Sequence, residues 1–199
     1  FLQVAVQTGT HILFGILGGI LFEKAGNTNL GTEGMMLLGA AAGYLTGITT
    51  GNPAAALIAS GLAGSMGALI YAFITVNLQG NQVVTGLVLT IFGTGVSSYL
   101  GKSLAATPLP SSVINAFAPC SVPFFSDIPV IGPMIFNQSP YVYMSVILAV
   151  MIHLYYKYTR WGLNVRAIGE NPAAADLSGI NVSLYKYTHI LSGGFICGL

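Results

Sequence analysis

Residues 34–60 read GMMLLGAAAGYLTGITTGNPAAALIAS, and they open a stretch without Asp, Glu, Lys, Arg or His that continues to Gly101. A helix needs about 20 apolar residues to cross the hydrocarbon core, so this stretch has room for about three spans joined by tight turns. In the whole chain only 6% of residues are charged and 54% are hydrophobic, which is too little charge to cover a soluble protein of this size. The apolar runs do not alternate with polar residues as β-barrel strands would. The sequence therefore predicts an all-α, polytopic transmembrane helical bundle.

Six apolar segments are predicted to cross the membrane within a single domain over residues 1–199. They cover residues 2–22, 32–50, 53–76, 83–101, 140–156 and 187–199. The chain starts at Phe1 rather than Met and stops inside an apolar stretch. We therefore expect a fragment of a longer protein, incomplete at both ends.

The positions of the basic residues orient these segments. Four of the six Lys and Arg residues fall in loop 157–186, and the excess of positive charge in cytoplasmic loops places this loop inside. Counting back through the spans puts loop 102–139, which holds six of the nine prolines, outside and Lys24 inside. Five of the six basic residues then face the cytoplasm, so the count and the charge rule agree.

Small residues recur at every fourth position on several predicted helices, where they allow two helix backbones to approach closely in lipid. The stripes are Gly15-xxx-Gly19, Gly39-xxx-Gly43-xxx-Gly47, Ser60-xxx-Gly64-xxx-Ala68 and Gly194-xxx-Gly198. They predict close helix–helix contacts, although glycine is common in membrane helices in general.

The connection between the first two spans, EKAGNTNLGTEG at residues 23–34, carries three charges, two asparagines and several glycines. The glycines make a continuous helix improbable there. Broken backbone at membrane depth is tolerated only where protein or a water-filled cavity satisfies it, and discontinuous helices often form transport sites. One hypothesis is that Asn27, Asn29 and Glu33 line a path for a polar solute. The alternative is an ordinary interfacial turn at the cytoplasmic edge.

A second polar stretch, NLQGNQVVTG at residues 77–86, has a similar character. It contains Asn81, Gln82 and Thr85 around a glycine. Amide groups both donate and accept hydrogen bonds, which suits a neutral polar solute such as a nucleoside. We predict that these three residues belong to the same path.

The loop predicted to face the cytoplasm contains GENPAAADLSGIN at residues 169–181, which has the punctuation of a short helix. Asn171 is a helix cap, Pro172 suits the first helical position, and Gly179 can end the helix in the left-handed conformation. This helix could dock in a groove of a partner protein, or it could be a capped connector on the membrane surface.

Three stretches resemble one family, the permease subunits of ATP-binding-cassette importers for simple sugars, branched-chain amino acids and nucleosides. GENPAAADLSGI looks like the family's coupling-helix loop, AGNTNLGTEGMMLLGA at 25–40 is close to its N-terminal signature, and SDIPVIGPMIFNQSP at 126–140 looks like its nucleoside branch. Asn29 and Glu33 stand where the ribose branch carries an aspartate-containing motif, which favours a nucleoside. The resemblance assigns contact with the ATPase to Gly169, Glu170, Asn171, Pro172, Ala174, Ala175, Gly179 and Ile180.

The same resemblance implies the partners and the location of the protein. They are cytoplasmic ATPase subunits that bind ATP and Mg²⁺, a second permease subunit, an extracytoplasmic solute-binding lipoprotein and the bacterial cytoplasmic membrane. The chain would then be a fragment of a longer permease that works by alternating access.

Other functions have less support in the residues. The chain has no GxxxxGK[ST] phosphate-binding loop, so we expect no catalytic residue, no cofactor bound by this chain, and ATP hydrolysis on a separate subunit. No metal-ligand spacing and no basic patch for nucleic acid occur. A self-sufficient channel or ion-coupled carrier is the main alternative, but such proteins usually carry ionisable residues inside their spans. An intramembrane protease would need a serine–histidine motif, and none surrounds the three histidines.

Overall fold

The computed structural model describes residues 2–104, 107–121 and 137–199, and these form a helical bundle. The long helices are α1 (Leu2–Lys24), α2 (Thr32–Thr50), α3 (Pro53–Ala72), α4 (Gln82–Leu104), α6 (Pro140–Tyr158) and α9 (Val182–Gly198). Three shorter helices are α5 (Ser111–Ala116), α7 (Arg160–Glu170) and α8 (Pro172–Leu177). A π-helical turn, Phe73–Asn77, extends α3, and two short strands, β1 (Cys120–Ser121) and β2 (Asn137–Gln138), pair antiparallel. The predicted all-α fold with discontinuous helices is confirmed.

The six predicted spans each lie on a long helix, with shifted ends. Three of the described helices, Gln3–Lys24, Pro53–Asn77 and Gln82–Lys102, are long and apolar enough to cross a membrane. The last helix begins at Val182 instead of residue 187. Most of the motif at 126–140 lies outside the described residues.

The ends of the long helices form two groups. At one end, which we call the α7–α8 end, the segment 25–31 between α1 and α2 lies beside the end of α3, the start of α4 and the end of α7. At the other, the α5 end, the Ser112 hydroxyl donates to the Gly51 carbonyl (2.7 Å) and the Tyr44 hydroxyl donates to the Thr107 carbonyl (2.9 Å). Successive long helices thus run in alternating directions, as the predicted topology requires.

Helix α9 packs at the centre of the bundle through glycines. A Cβ added at Gly39 would lie 2.6 Å from the Gly198 Cα, and one added at Gly64 would lie 2.7 Å from it. The predicted stripes on α2, α3 and α9 therefore mark real backbone contacts. The prediction is wrong for Gly19 within the described residues, because no atom of another described helix lies within 4 Å of a Cβ added there. Spacing alone shows which glycines share a face, but not whether a helix lies opposite that face.

The largest buried cluster lies where α1, α2, α3, α4 and α9 meet. Its members are Phe22, Met35, Ala68, Tyr71, Ala72, Leu89, Ile190 and Cys197. These side chains fix the relative positions of the elements at the α7–α8 end, where both predicted functional regions lie.

Candidate functional site

The segment 25–31 interrupts the chain between α1 and α2 through two local features. Gly26 adopts a φ of +75°, a conformation that side chains with a Cβ rarely adopt, and this ends α1. Asn29 then closes a tight turn, because its Oδ1 accepts a hydrogen bond from the Gly31 N–H (2.7 Å). The predicted break in the helix is therefore confirmed at 25–31, while Gly34 lies within α2.

The structure brings the two predicted polar stretches together. The Thr28 N–H donates to Oε1 of Gln82 (2.8 Å), and the Thr28 carbonyl accepts from the Tyr71 hydroxyl (3.0 Å). About two turns further along α4, the Thr90 hydroxyl donates to the Leu30 carbonyl (3.0 Å). These bonds fasten the segment 25–31 to the end of α3 and the start of α4.

Several of the predicted path residues have local structural roles. Asn81 caps α4, since its Oδ1 accepts from the Val84 N–H (3.1 Å), and the Thr85 hydroxyl donates back to the Asn81 carbonyl (2.8 Å). Asn27 is only 1% exposed, and its Oδ1 is buried without a hydrogen-bond partner in the described structure. Glu33 is exposed in the first turn of α2. Asn27 and Glu33 thus keep polar atoms that the fold itself does not use.

The segment starts at the α7–α8 end and continues inward along α4. A Cβ added at Gly34, in the first turn of α2, would lie 2.7 Å from the Cα of Thr90 on α4. At a rise of 1.5 Å per residue, Thr90 lies about 12 Å along the axis of α4 from Gln82. This course of the chain is compatible with both the interfacial-turn hypothesis and the path hypothesis. The depth of the segment in a membrane stays a prediction.

Helix α8 has the punctuation that the sequence predicts. The Asn171 Oδ1 accepts from the Ala174 N–H (3.1 Å), Pro172 occupies the first helical position, and Gly179 has a φ of +79°. Ala175 is 4% exposed, whereas Leu177 is 92% exposed. The helix is therefore held by one side and leaves an apolar side chain in the open. The other predicted coupling residues, Gly169, Glu170, Ala174 and Ile180, surround it at the same end, and all but Ile180 are exposed.

Helix α7 was missed by the sequence analysis, which treated residues 160–168 as loop. Its buried residues Gly162, Val165 and Ile168 recur at every third position, and this spacing is the signal that could have identified the helix. The Arg166 guanidinium donates to the Tyr156 carbonyl at the end of α6 (2.7 Å).

Helix α7 is anchored to three long helices. A Cβ at Gly162 would lie 2.5 Å from the Tyr155 carbonyl oxygen of α6, and one at Gly169 would lie 2.5 Å from the Lys24 carbonyl oxygen of α1. The Asn164 amide donates to the Tyr185 hydroxyl of α9 (2.9 Å). Helix α7, which leads directly into α8, therefore contacts the ends of α1, α6 and α9.

Charge is concentrated at the α7–α8 end. The basic residues there are Lys24, Lys157, Arg160, Arg166 and Lys186, and all but Lys186 are exposed. Burial lowers the pKa of Lys186, because desolvation disfavours its charged form. The structure thus brings together the five basic residues that the charge rule assigns to the cytoplasm.

One cavity lies at the opposite end of the bundle from these features. It has a volume of about 720 Å³, and its lining includes His11, Phe14, Tyr44, Phe117 and Tyr141. A smaller cavity of about 320 Å³ lies between α3 and α4, and Thr85 lines it together with Tyr71 and Phe92. Of these two cavities in the described part of the chain, only the smaller is lined by a predicted path residue. Cavity volume alone therefore does not identify the solute path.

We expect Asn171→Ala to loosen α8, because the substitution leaves the Ala174 N–H without its cap at a cost of about 1 kcal/mol. Hydrogen exchange at residues 173–178 should then become about fivefold faster in the complete protein. Asn115→Ala in the exposed helix α5 is the matched control and should leave this exchange unchanged. Equal protection of α8 in both variants would contradict the capping assignment.

A family model matches the whole chain. It covers residues 1–199 and is described as the permease component of the branched-chain amino acid transport system. No solved structure matches the chain.

Individual relatives are transport proteins of the same kind. The chain is 32% identical over 200 residues to the nucleoside ABC transporter permease protein NupC of Lactococcus lactis, covering 96% of this chain and 62% of the relative. It is 30% identical over 194 residues to the guanosine ABC transporter permease protein NupQ of Bacillus subtilis, covering 92% of this chain and 60% of the relative. It is also 30% identical to the glucose ABC transporter permease protein TsgB13 of Haloferax volcanii, covering 97% of this chain and 53% of the relative. The chain thus spans about 60% of the length of NupC and NupQ.

Proposed function

Because the chain belongs to the family of permease components of the branched-chain amino acid transport system, we propose that it forms the membrane-spanning part of an ATP-driven importer for a nucleoside-type or related small polar solute. In this proposal a separate cytoplasmic subunit binds ATP and Mg²⁺ and hydrolyses the nucleotide. The chain itself moves the solute by alternating access and breaks no bond. The membrane is the bacterial cytoplasmic membrane.

The observation that carries the proposal is the combination of α8 and α7 at one end of the bundle. Helix α8 exposes Leu177 almost completely outside the predicted spans, so this apolar side chain is available to fill a pocket of a partner protein. Helix α7 connects this contact to the ends of three long helices through Gly162, Asn164 and Gly169. A connector that only covered the membrane surface would not need contacts with three helices.

The proposed path for the solute runs beside the segment 25–31 and the start of α4. The Gln82 amide and the Thr28 backbone hold the two stretches together. The exposed carboxylate of Glu33 offers an acceptor for the hydroxyl and amino groups of a solute, whereas the Oδ1 of Asn27 is an unpaired acceptor that is buried in this conformation. Glu33 is therefore the strongest candidate for solute contact in this conformation, and Asn27 stays a candidate whose acceptor is buried. Asn29, Asn81 and Thr85 support the local backbone.

A nucleoside is favoured over a free sugar for two reasons. The relatives NupC and NupQ are named as nucleoside and guanosine permeases, and Asn29 and Glu33 replace the aspartate-containing motif of the ribose branch. TsgB13, a glucose permease, is similar over nearly the same length, so a sugar is the competing solute. A solute-binding lipoprotein outside and a second permease subunit complete the proposed importer.

Uptake of radiolabelled guanosine and glucose by the complete protein tests this proposal. The protein is reconstituted in vesicles with its ATPase subunit and binding protein. ATP or a non-hydrolysable analogue is supplied on the side of the membrane that carries the ATPase subunit. We expect guanosine uptake that requires hydrolysable ATP. Glucose uptake with the same requirement for ATP would support the proposed mechanism and show that the solute is a sugar. Uptake that does not depend on ATP would instead indicate a channel or carrier.

A further inference from the structure

We propose that the π-helical turn Phe73–Asn77, with the hinge 78–81 that follows it, is the element that the coupling helices move, and that Tyr187 on α9 positions it. This inference rests on the proposed importer function and names the internal connection that the function requires. The hinge ends at Asn81 and is followed directly by Gln82, and both residues belong to the predicted solute path. The connection runs from α7 through α9 to the π-helical turn.

The first step of the connection joins α7 to α9. The Asn164 amide donates to the Tyr185 hydroxyl (2.9 Å), and the rings of Trp161 and Tyr185 lie 4.9 Å apart between centroids. A polar and an aromatic contact thus meet on one side chain. Tyr185 cannot keep both contacts if α7 moves and α9 does not.

Helix α9 also forms a hydrogen bond with α6, close to Tyr185. The Tyr155 hydroxyl lies 2.9 Å from Nε2 of His189, and Nδ1 of His189 lies 2.7 Å from the Tyr185 carbonyl oxygen. A neutral imidazole that donates from Nδ1 to the carbonyl accepts from Tyr155 at Nε2, so both bonds form at once. The start of α9 therefore moves together with the ends of α6 and α7.

The second step joins α9 to the π-helical turn. The Tyr187 hydroxyl donates to Oδ1 of Asn77, the last residue of the turn, at 2.8 Å. Each residue turns an α-helix by about 100°, so side chains two residues apart project from nearly opposite faces. Tyr185 faces α7 and Tyr187 faces the turn, so α9 passes a displacement from one side to the other.

The turn and the hinge are poised to change conformation. The Leu78 N–H reaches the Phe73 carbonyl over five residues at 3.3 Å, which is long for a backbone hydrogen bond. Gln79 has a φ of +51°, a strained value for a residue with a side chain. Such π-helical turns and strained residues are concentrated at functional sites of proteins. A small displacement of Asn77 can therefore change the hydrogen-bond register of the turn.

The hinge controls the position of the predicted solute path. It ends at Asn81, which caps α4, and the next residue, Gln82, holds the Thr28 backbone of the segment 25–31. A change of register in the turn shifts the start of α4 and with it this bond. Both sides of the proposed path then move together.

The test is the ratio of guanosine transported to ATP hydrolysed by the reconstituted complete importer carrying Tyr187→Phe. This variant keeps the ring and removes only the hydroxyl that binds Asn77. We expect the ratio to fall about 3- to 10-fold while ATP hydrolysis continues. Tyr158→Phe is the matched control, because Tyr158 is an exposed tyrosine at the same end of the bundle, and we expect its ratio to be unchanged.

A second variant, Asn77→Ala, removes the other partner of the same hydrogen bond. If the bond carries the coupling, each single variant and the double variant give the same ratio, whereas independent effects would multiply. The inference would be overturned by an unchanged ratio in Tyr187→Phe or by an equal fall in Tyr158→Phe. In either case, ATP-dependent uptake by the unmodified protein would still support the importer function. Uptake by the unmodified protein without ATP would instead overturn the proposed function.

Discussion

Leu177→Arg is expected to reduce both ATP-driven uptake and the amount of ATPase subunit that purifies with the complete protein by at least about tenfold. Leu177 ends α8 and is 92% exposed, so its side chain is free to fill a pocket of a partner. An arginine in that pocket would bury an unpaired charge, which costs about 2 kcal/mol or more at interfaces, and about 1.4 kcal/mol corresponds to a factor of ten. A positive charge near the C-terminus of a helix is favourable for the helix itself. The variant should therefore fold with α8 intact.

The matched control for this prediction is Leu163→Arg on the neighbouring helix α7. Leu163 is also exposed, at 60%, and the substitution changes charge and size in the same way. Its long side chain can keep the guanidinium in water while the stem covers apolar surface. We expect uptake and ATPase binding close to those of the unmodified protein. Equal losses in both variants would show a general effect of charge at this end, and no loss in Leu177→Arg would remove α8 from the ATPase contact.

Gly39→Ala is expected to destabilise the complete protein by about 1–3 kcal/mol or more, although it adds a single methyl group. The new Cβ would lie 2.6 Å from the Gly198 Cα and would also meet the Gly198 carbonyl group. Both obstacles are backbone atoms of a central helix, which cannot rotate away as a flexible side chain would. Helices α2 and α9 must separate, and the packing of the α3 glycines against α9 is disturbed with them. Thermal unfolding in detergent, followed by the loss of monodisperse protein, measures the effect.

Gly19→Ala provides the control for the glycine prediction. No atom of another helix in the described part of the chain lies within 4 Å of a Cβ added at Gly19, so no clash seen there opposes the higher helix propensity of alanine. In water, alanine in a helix interior is favoured over glycine by about 0.5–1 kcal/mol. We expect Gly19→Ala to unfold at the same temperature as the unmodified protein or slightly above it. A loss of stability equal to that of Gly39→Ala would show that glycine is required for flexibility rather than for close packing.

The local structure of α8 could be predicted from the sequence because its signals are local. Asn171, Pro172 and Gly179 act through the backbone of their own few residues, by accepting a hydrogen bond, fixing φ or permitting a positive φ. The break at Gly26 was predicted for the same reason. Helix α7 has an equally local signal in the spacing of Gly162, Val165 and Ile168, and it was missed because the charged residues within it suggested a loop.

The solute path was predicted only as separate polar stretches. Sequence spacing gave no reason to place the Thr28 backbone on the Gln82 amide, 54 residues later. It also assigned solute contact equally to Asn29, Asn81 and Thr85, whose polar groups serve a turn and a helix cap in the structure. Turn and cap bonds compete for the same amide groups that a solute would use. That competition is decided by backbone conformation rather than by residue type.

By itself, the sequence determined that this is a helical membrane protein, where its six long helices lie to within a few residues, and which loop carries the basic residues. These properties follow from hydrophobicity, helix length and charge, and each of them is a sum over neighbouring residues. Only the tertiary structure decided that Gly39 contacts Gly198, that α7 is anchored to three helices, and that Tyr187 reaches Asn77 on the π-helical turn. Each of these contacts joins residues far apart in the chain, and it depends on which faces of two helices meet. Side-chain periodicity defines the face of one helix, but the packing of the whole bundle selects its partner.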